Sequence, residues 1–125
     1  MFSHPFYNVL HVIGIVLVVS ALGGASLHAI NGGTRATNAA RGLVAAMHGT
    51  GVLLILLGGF GMLARLGFAH GANFPRWLWV KLLVWVIVAG ALMIPYRKPE
   101  LSRPLLLALP VLAGIAAAMA IYKPF

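Results

Sequence analysis

A lysine between two tryptophans, with a histidine predicted at the same membrane depth, is the feature of this sequence that most favours chemistry. Trp77, Lys81 and Trp85 stand at i, i+4 and i+8, so a helix carries all three on one face. His11 lies about five residues into the first apolar segment and Lys81 about six residues into the third, which places both near one membrane surface. Such a site offers an aromatic surface, a cation for a carboxylate and an imidazole for a metal, which suits haem b or a related porphyrin.

Each of these residues also has a simpler interpretation. An ionisable side chain inside a span costs about 2.5 to 3.5 kcal/mol on insertion scales, so Lys81 is a functional candidate by default. The single acidic residue of the chain, Glu100, is predicted at the opposite membrane face. Lys81 therefore snorkels to the interface, loses its proton or meets an anion from outside the chain, such as a lipid phosphate or a cofactor carboxylate. Trp77 and Trp85 alternatively anchor their helix at the interface.

Two further histidines, His28 and His48, are candidates for binding a haem near the other membrane surface. His28 ends the first predicted span and His48 lies about seven residues into the second, so straight helices place His48 about 10 Å deeper. His11 and His28 are about 25 Å apart along one helix, so they do not bind one iron. Hydrogen bonding to a neighbouring helix is the alternative role for His48.

Four apolar segments predict the fold. Residues 1–34, 42–64 and 104–122 contain no Asp, Glu, Lys or Arg, and 77–96 contains only Lys81. About 20 helical residues cross the roughly 30 Å of hydrocarbon in a bilayer, so each segment is long enough to span it. The sequence predicts an all-α integral membrane four-helix bundle, a single transmembrane domain over residues 1–125, with helices at about 6–28, 42–65, 75–94 and 104–122. Pro110 predicts a kink in the last helix.

Small residues predict close packing of the first two helices, where glycines are concentrated. Ser20 and Gly24 have the four-residue spacing that lets helix backbones approach each other in lipid. We expect this pair to lie on the contact face of the first helix.

Charge predicts the orientation and excludes several functions. The net charge is +8, yet the basic residues other than Lys81 lie at span ends, where they anchor helices and attract anionic lipids, so nucleic-acid binding is not expected. The excess of basic residues in the first and third predicted loops places both termini on the periplasmic side of a bacterial inner membrane. With no cysteine and one acidic residue, the chain lacks thiolate metal sites, covalent haem attachment and carboxylate dyads.

Two short motifs resemble those of a known family. Residues 10–16 (LHVIGIV) and 77–82 (WLWVKL) are similar to segments of the bacterial membrane protoporphyrinogen IX oxidases of the HemJ type, and the copper-resistance D-like domains share the general shape. The resemblance implies a bundle with a tetrapyrrole-sized site and assigns the functional histidine and lysine of the family to His11 and Lys81. The chain departs from the family pattern in having no basic residue at 21–27 and no histidine in the third helix after Lys81.

The leading hypothesis is a small polytopic inner-membrane protein that binds a haem or related tetrapyrrole between the first and third helices, with His11 as the metal ligand. A non-enzymatic role is favoured, and any catalysis would be that of a cofactor-dependent membrane oxidoreductase. The alternative is an accessory subunit of a respiratory or photosynthetic complex, whose glycine-rich helices contact other membrane subunits or a second copy of the chain. Membrane lipids are partners under both hypotheses.

Overall fold

Five α-helices make up the computed structural model, which describes residues 2–65 and 74–122. They are α1 His4–Ile30, α2 Arg41–Arg65, α3 Arg76–Gly90, α4 Met93–Arg97 and α5 Ser102–Tyr122, with a 3₁₀ turn Pro99–Leu101 before α5. Because α3 and α4 continue one another, the described residues form four segments long and apolar enough to cross a membrane. The predicted all-α four-helix bundle is confirmed. Most of the predicted loop between the second and third spans, with His70, lies outside the described residues.

The two ends of α1 follow from local sequence. The Ser3 hydroxyl accepts a hydrogen bond of 3.3 Å from the backbone N–H of Phe6, and Pro5 stands in the first turn, where its missing N–H is not needed. After α1 the chain turns through Gly32, whose φ of +86° glycine adopts without the clash a side chain would cause. The first span therefore starts and stops where capping and turn chemistry dictate.

The third span is interrupted, whereas the sequence predicts one helix there. Helix α3 ends at Gly90 and α4 begins at Met93. Pro95 explains the position of the break, because it has no N–H to donate to the carbonyl of Ala91 and its ring crowds that carbonyl. Ala91 is 2% exposed and packs into the core, so the break lies inside the bundle.

Helices α1 and α2 are in backbone contact along a surface that we call the glycine seam, formed by Gly14 of α1 with Gly51 and Gly58 of α2. A Cβ added to Gly14 would lie 2.7 Å from the carbonyl oxygen of Gly51, and a Cβ added to Gly58 would lie 2.6 Å from the backbone nitrogen of His11. Real side chains do not approach this closely, so the two helices touch only because these positions lack a Cβ.

The prediction that helices one and two pack closely names the right helices but the wrong residues. Ser20 and Gly24 are exposed, and no atom of the described residues lies within 4 Å of a Cβ built on Gly24. The contact face of α1 instead follows Tyr7, His11 and Gly14, whose spacing of four and three residues is that of a left-handed helix pair.

Helix α5 closes the bundle by contacting different neighbours along its length. Before Pro110, Leu105 and Leu109 pack against Val18 and Leu22 of α1. After Pro110, α5 contacts α3, where Met119 packs on a cluster of three buried residues, Leu63, Trp77 and Leu78. The two halves of α5 therefore pack into separate clusters, and the candidate site lies between these clusters.

Candidate cofactor-binding cavity

A cavity of about 570 Å³ lies between α1, α2, α3 and α5, near the end of the bundle where α1 begins and α5 ends. We call this the terminus end. Pockets that bind cofactor-sized molecules have volumes of about 300 to 1,000 Å³, so this cavity is within that range. His11, Trp77, Lys81 and Trp85, which the sequence predicts to form one site, all line it.

Hydrogen bonds to α2 fix the relative depth of α1 and α3. The His11 ring lies 2.8 Å from the Ile55 carbonyl oxygen, and the Trp85 indole N–H donates to the Val52 carbonyl at 3.1 Å. The two acceptors are one helical turn apart on α2, about 4.5 Å along its axis. Lys81 precedes Trp85 by one turn, and because α3 runs antiparallel to α2 this turn brings Lys81 to the level of His11.

The His11 hydrogen bond determines which ring nitrogen is available to a ligand. A carbonyl oxygen only accepts hydrogen bonds, so His11 Nδ1 carries the proton that is donated to Ile55. In a neutral imidazole Nε2 then holds the lone pair, and no hydrogen bond among the described residues occupies it. Metal-binding histidines are commonly oriented in this way, by an N–H donated to a backbone carbonyl.

The Lys81 side chain is half-buried in the cavity wall. Lys81 of α3 and His11 of α1 line the same cavity. A ligand with a negatively charged group would therefore find a positive potential next to the imidazole.

His4 and Asn8 also line the cavity, and sequence reasoning gave His4 no role. Together with His11 they stand at i, i+4 and i+7 on α1, so their side chains share one helix face. This spacing is the signal that would have found His4 from the sequence. The three residues and Lys81 make the terminus end of the cavity polar.

Short and apolar side chains line the remainder of the cavity. Ala113, Ala116, Ala117 and Ala120 of α5 stand at i, i+3, i+4 and i+7 and form one wall, which we call the alanine wall. Gly59 of α2 adds another position without a side chain. The cavity exists because these residues leave space that larger side chains would fill.

The structure does not bring His28 and His48 to this cavity. The His48 Nε2–H donates to the Val88 carbonyl at 2.9 Å and joins α2 to α3, which is the hydrogen-bonding role weighed for it. The His28 Nε2–H donates to the Thr34 carbonyl at 2.8 Å, close to the Thr37 hydroxyl, and so orders the loop after α1. Each ring already has a structural partner.

Among the described residues, no three His, Asp or Glu side chains come together in a group that could hold a metal ion. His11 is the only one of the predicted metal-ligand candidates that lines the cavity of the described structure. Comparisons with protein-family models, with curated proteins and with solved structures gave no match to this chain.

Proposed function

We propose that this protein binds haem b or a related tetrapyrrole inside the membrane, with His11 as the axial ligand. The observation that carries the proposal is that separate helices contribute an oriented imidazole, a lysine and two indoles to one cavity of suitable volume. The role of His11 is to present Nε2 to the metal, and that of Lys81 is to attract a propionate.

The donor set of the cavity suits a porphyrin better than a bare metal ion. A free ion needs several protein ligands, and no group of three His, Asp or Glu side chains is found among the described residues. A porphyrin supplies four nitrogen ligands itself, so one histidine completes a five-coordinate iron. When bound, the iron would supply electron-transfer or small-ligand chemistry, and the protein would supply its orientation and dry surroundings.

The polarity of the cavity also matches the ligand. A tetrapyrrole has an apolar edge and an edge with carboxylates. His4, Asn8 and Lys81 provide polar groups at the terminus end, while Trp85 and the alanine wall provide apolar surface deeper in the bundle. The carboxylates are therefore proposed to point towards the terminus end.

An absorption spectrum tests the proposal. Protein expressed with added haem and purified in mild detergent is expected to show a Soret band. His11→Ala is expected to abolish or shift that band, because the axial ligand is lost. Lys81→Met, which keeps an apolar stem but removes the charge, is expected to weaken haem binding about tenfold, the loss typical of one charge-assisted hydrogen bond.

His28→Ala is the matched control, since its ring contacts only the loop after α1. It is expected to leave the Soret band unchanged. Absence of the band from the unmodified protein, or its persistence in His11→Ala, would contradict the proposal. Migration only within a large assembly, without a chromophore, would instead favour the accessory-subunit function.

We further propose a bacterial inner-membrane location with both termini on the periplasmic side. The Asn38 amide donates to the Tyr96 hydroxyl at 2.9 Å, so the first and third loops lie together at one end of the bundle. The basic residues of these loops thus form one positively charged surface, which favours the cytoplasmic face. Reporter fusions at Tyr122 and at Asn38 check this orientation, and activity of a periplasmic reporter at Asn38 would contradict it.

A further inference from the structure

The interface between α1 and α5 is closed in one half of the bundle and open in the other. Towards the basic loops, Leu105 and Leu109 pack against Val18 and Leu22. A Cβ built on Gly23 would lie 3.9 Å from a methyl carbon of Leu106, which is ordinary contact. In this half the two helices are in contact, with Leu22 and Leu105 outside the cavity lining and Val18 and Leu109 at the inner end of the cavity.

Beyond Pro110 the same two helices leave a gap. Val12 of α1 lines the cavity and is nevertheless 50% exposed. Ala113 and Ala117 of α5 also line the cavity and are exposed. Residues that are both cavity lining and surface mark the place where the cavity meets its surroundings, and alanine side chains are too short to bridge the gap.

The other walls are better covered. Every cavity-lining residue of α3 is buried or half-buried, and so is each one of α2 apart from Phe60. At the terminus end, Leu63, Trp77 and Leu78 form a buried cluster with Met119 between α2, α3 and α5. The cavity therefore opens between α1 and α5, where its exposed lining residues other than Phe60 lie, namely Asn8, Val12 and Val19 of α1 and Ala113, Ala117 and Ile121 of α5.

We propose that the ligand enters and leaves the cavity sideways from the bilayer, through this opening between the terminus-end halves of α1 and α5. The identity of the ligand rests on the function proposed above, but the route does not. The spans on both sides of the opening are apolar along the depth of the hydrocarbon, so the opening faces acyl chains. The ligand class is then a membrane-dissolved amphiphile that inserts its apolar edge first, with its carboxylates coming to rest near Lys81.

Cross-linking tests the route, because the chain has no native cysteine. A Val12→Cys and Ala117→Cys double variant is bridged with a long bismaleimide and mixed with liposomes that contain haem. Bridging across the opening is expected to slow growth of the Soret band at least tenfold. The control pair Gly23→Cys and Leu106→Cys bridges the closed half and is expected to leave the loading rate unchanged.

Equal loading rates with and without the bridge at Val12 and Ala117 would overturn the proposed route. A bridge formed after loading provides a second check, since it is expected to slow transfer of haem to an acceptor protein by a similar factor. Rapid transfer from the bridged complex would also count against it.

Trp85 gives a measurement that does not depend on haem. It lines the cavity from α3, and Trp77→Phe with Trp79→Phe leaves it as the single tryptophan of the chain. In bilayers of phospholipid brominated at mid-chain, its fluorescence is expected to be quenched, because acyl chains reach the cavity through the opening. Ala117→Phe is expected to halve the quenching by narrowing that opening.

Gly114→Phe is the matched control for this variant, since it lies one turn away on α5 with no described atom within 4 Å of its Cβ position. It is expected to leave the quenching unchanged. Trp85 that is not quenched, or is quenched equally in Ala117→Phe, would overturn the sideways route. Quenching without a Soret band would support the sideways route and contradict haem as the ligand. The experiments therefore distinguish failure of the route from failure of the proposed function.

Discussion

Small residues have opposite effects on the two sides of this bundle. In the glycine seam between α1 and α2 they bring two backbones into contact, with Gly14 and Gly51 facing each other. In the alanine wall of α5 they leave space between helices, because the short side chains of Ala113 and Ala117 do not fill the cavity that they line. Small residues therefore give a backbone contact in one place and a cavity of about 570 Å³ in another.

The difference lies in what the partner helix presents. Along the seam, α1 places His11 and Gly14 against glycines of α2, so that backbone atoms fill the space that each missing side chain leaves. Across the cavity, α5 faces α3, whose Lys81 and Trp85 line the same space without filling it. The glycine seam therefore holds two helices together, and the alanine wall leaves room for a ligand.

The largest expected effect on stability is that of Gly58→Ala in the glycine seam. The added Cβ would lie 2.6 Å from the backbone nitrogen of His11 and 2.6 Å from the carbonyl oxygen of Tyr7. Backbone atoms cannot rotate away, so the helices must separate. The loss is expected to reach about 1 to 3 kcal/mol of unfolding free energy. Unfolding of detergent-solubilised protein by sodium dodecyl sulfate, followed by circular dichroism, measures it.

Gly24→Ala is the control, since no described atom lies within 4 Å of its Cβ position. It is expected to be neutral or to stabilise by about 0.5 to 1 kcal/mol, because alanine favours helix. Equal losses in Gly24→Ala and Gly58→Ala would show that the seam has no special role.

Next in size is Ala117→Phe in the alanine wall, which is expected to affect binding rather than folding. The phenyl ring enters the cavity and occupies space that the ligand needs. Haem affinity is expected to fall at least tenfold while the unfolding free energy changes by less than about 1.5 kcal/mol, since the space is already open. Titration with haem, read at the Soret band, and the same unfolding measurement check both parts. A loss of unfolding free energy as large as that of Gly58→Ala would contradict the proposed difference between the alanine wall and the glycine seam.

The sequence allowed the bundle to be predicted because lipid imposes a simple rule. A helix satisfies its backbone hydrogen bonds within its own segment, so charge-free segments of about 20 residues identify helical spans in hydrocarbon. It also allowed His11 and Lys81 to be placed at one depth, since each helical residue advances about 1.5 Å. The depth of a residue does not determine which helix faces are in contact. For this reason Ser20 and Gly24 were predicted on the contact face of the first helix, although both are exposed.

The lateral arrangement depends on contacts between helices that no local spacing contains. His48 points at Val88 because α2 and α3 are neighbours in the bundle. The His4 contribution was missed for a different reason, since the spacing of His4, Asn8 and His11 on one face of α1 was not used. The break before Met93 was missed because Pro95 acts four residues upstream of its own position.

A smaller effect is expected at the boundary between α2 and α3, which relies on hydrogen bonds more than on close packing. His48→Phe removes the bond to the Val88 carbonyl. The expected loss is about 0.6 kcal/mol and at most about 1.7 kcal/mol, the range for such bonds between helices in membranes. A double-mutant cycle with Trp85→Phe, which removes the bond to Val52, tests whether the two bonds act together. No loss in either single variant would mean that packing alone holds these helices.

The smallest change is expected from Ser26→Ala in the closed half of the bundle. The Ser26 side chain is 0% exposed, and its hydroxyl has no hydrogen-bond partner among the described residues. Burying a hydroxyl without a partner is unfavourable by about 1 to 3 kcal/mol, and part of this is recovered when the oxygen is removed. Unfolding in sodium dodecyl sulfate is expected to show unchanged or slightly higher stability. A clear loss would mean that a water or a further partner satisfies the hydroxyl, and the closed half would then be held by polar contacts as well as by its apolar core.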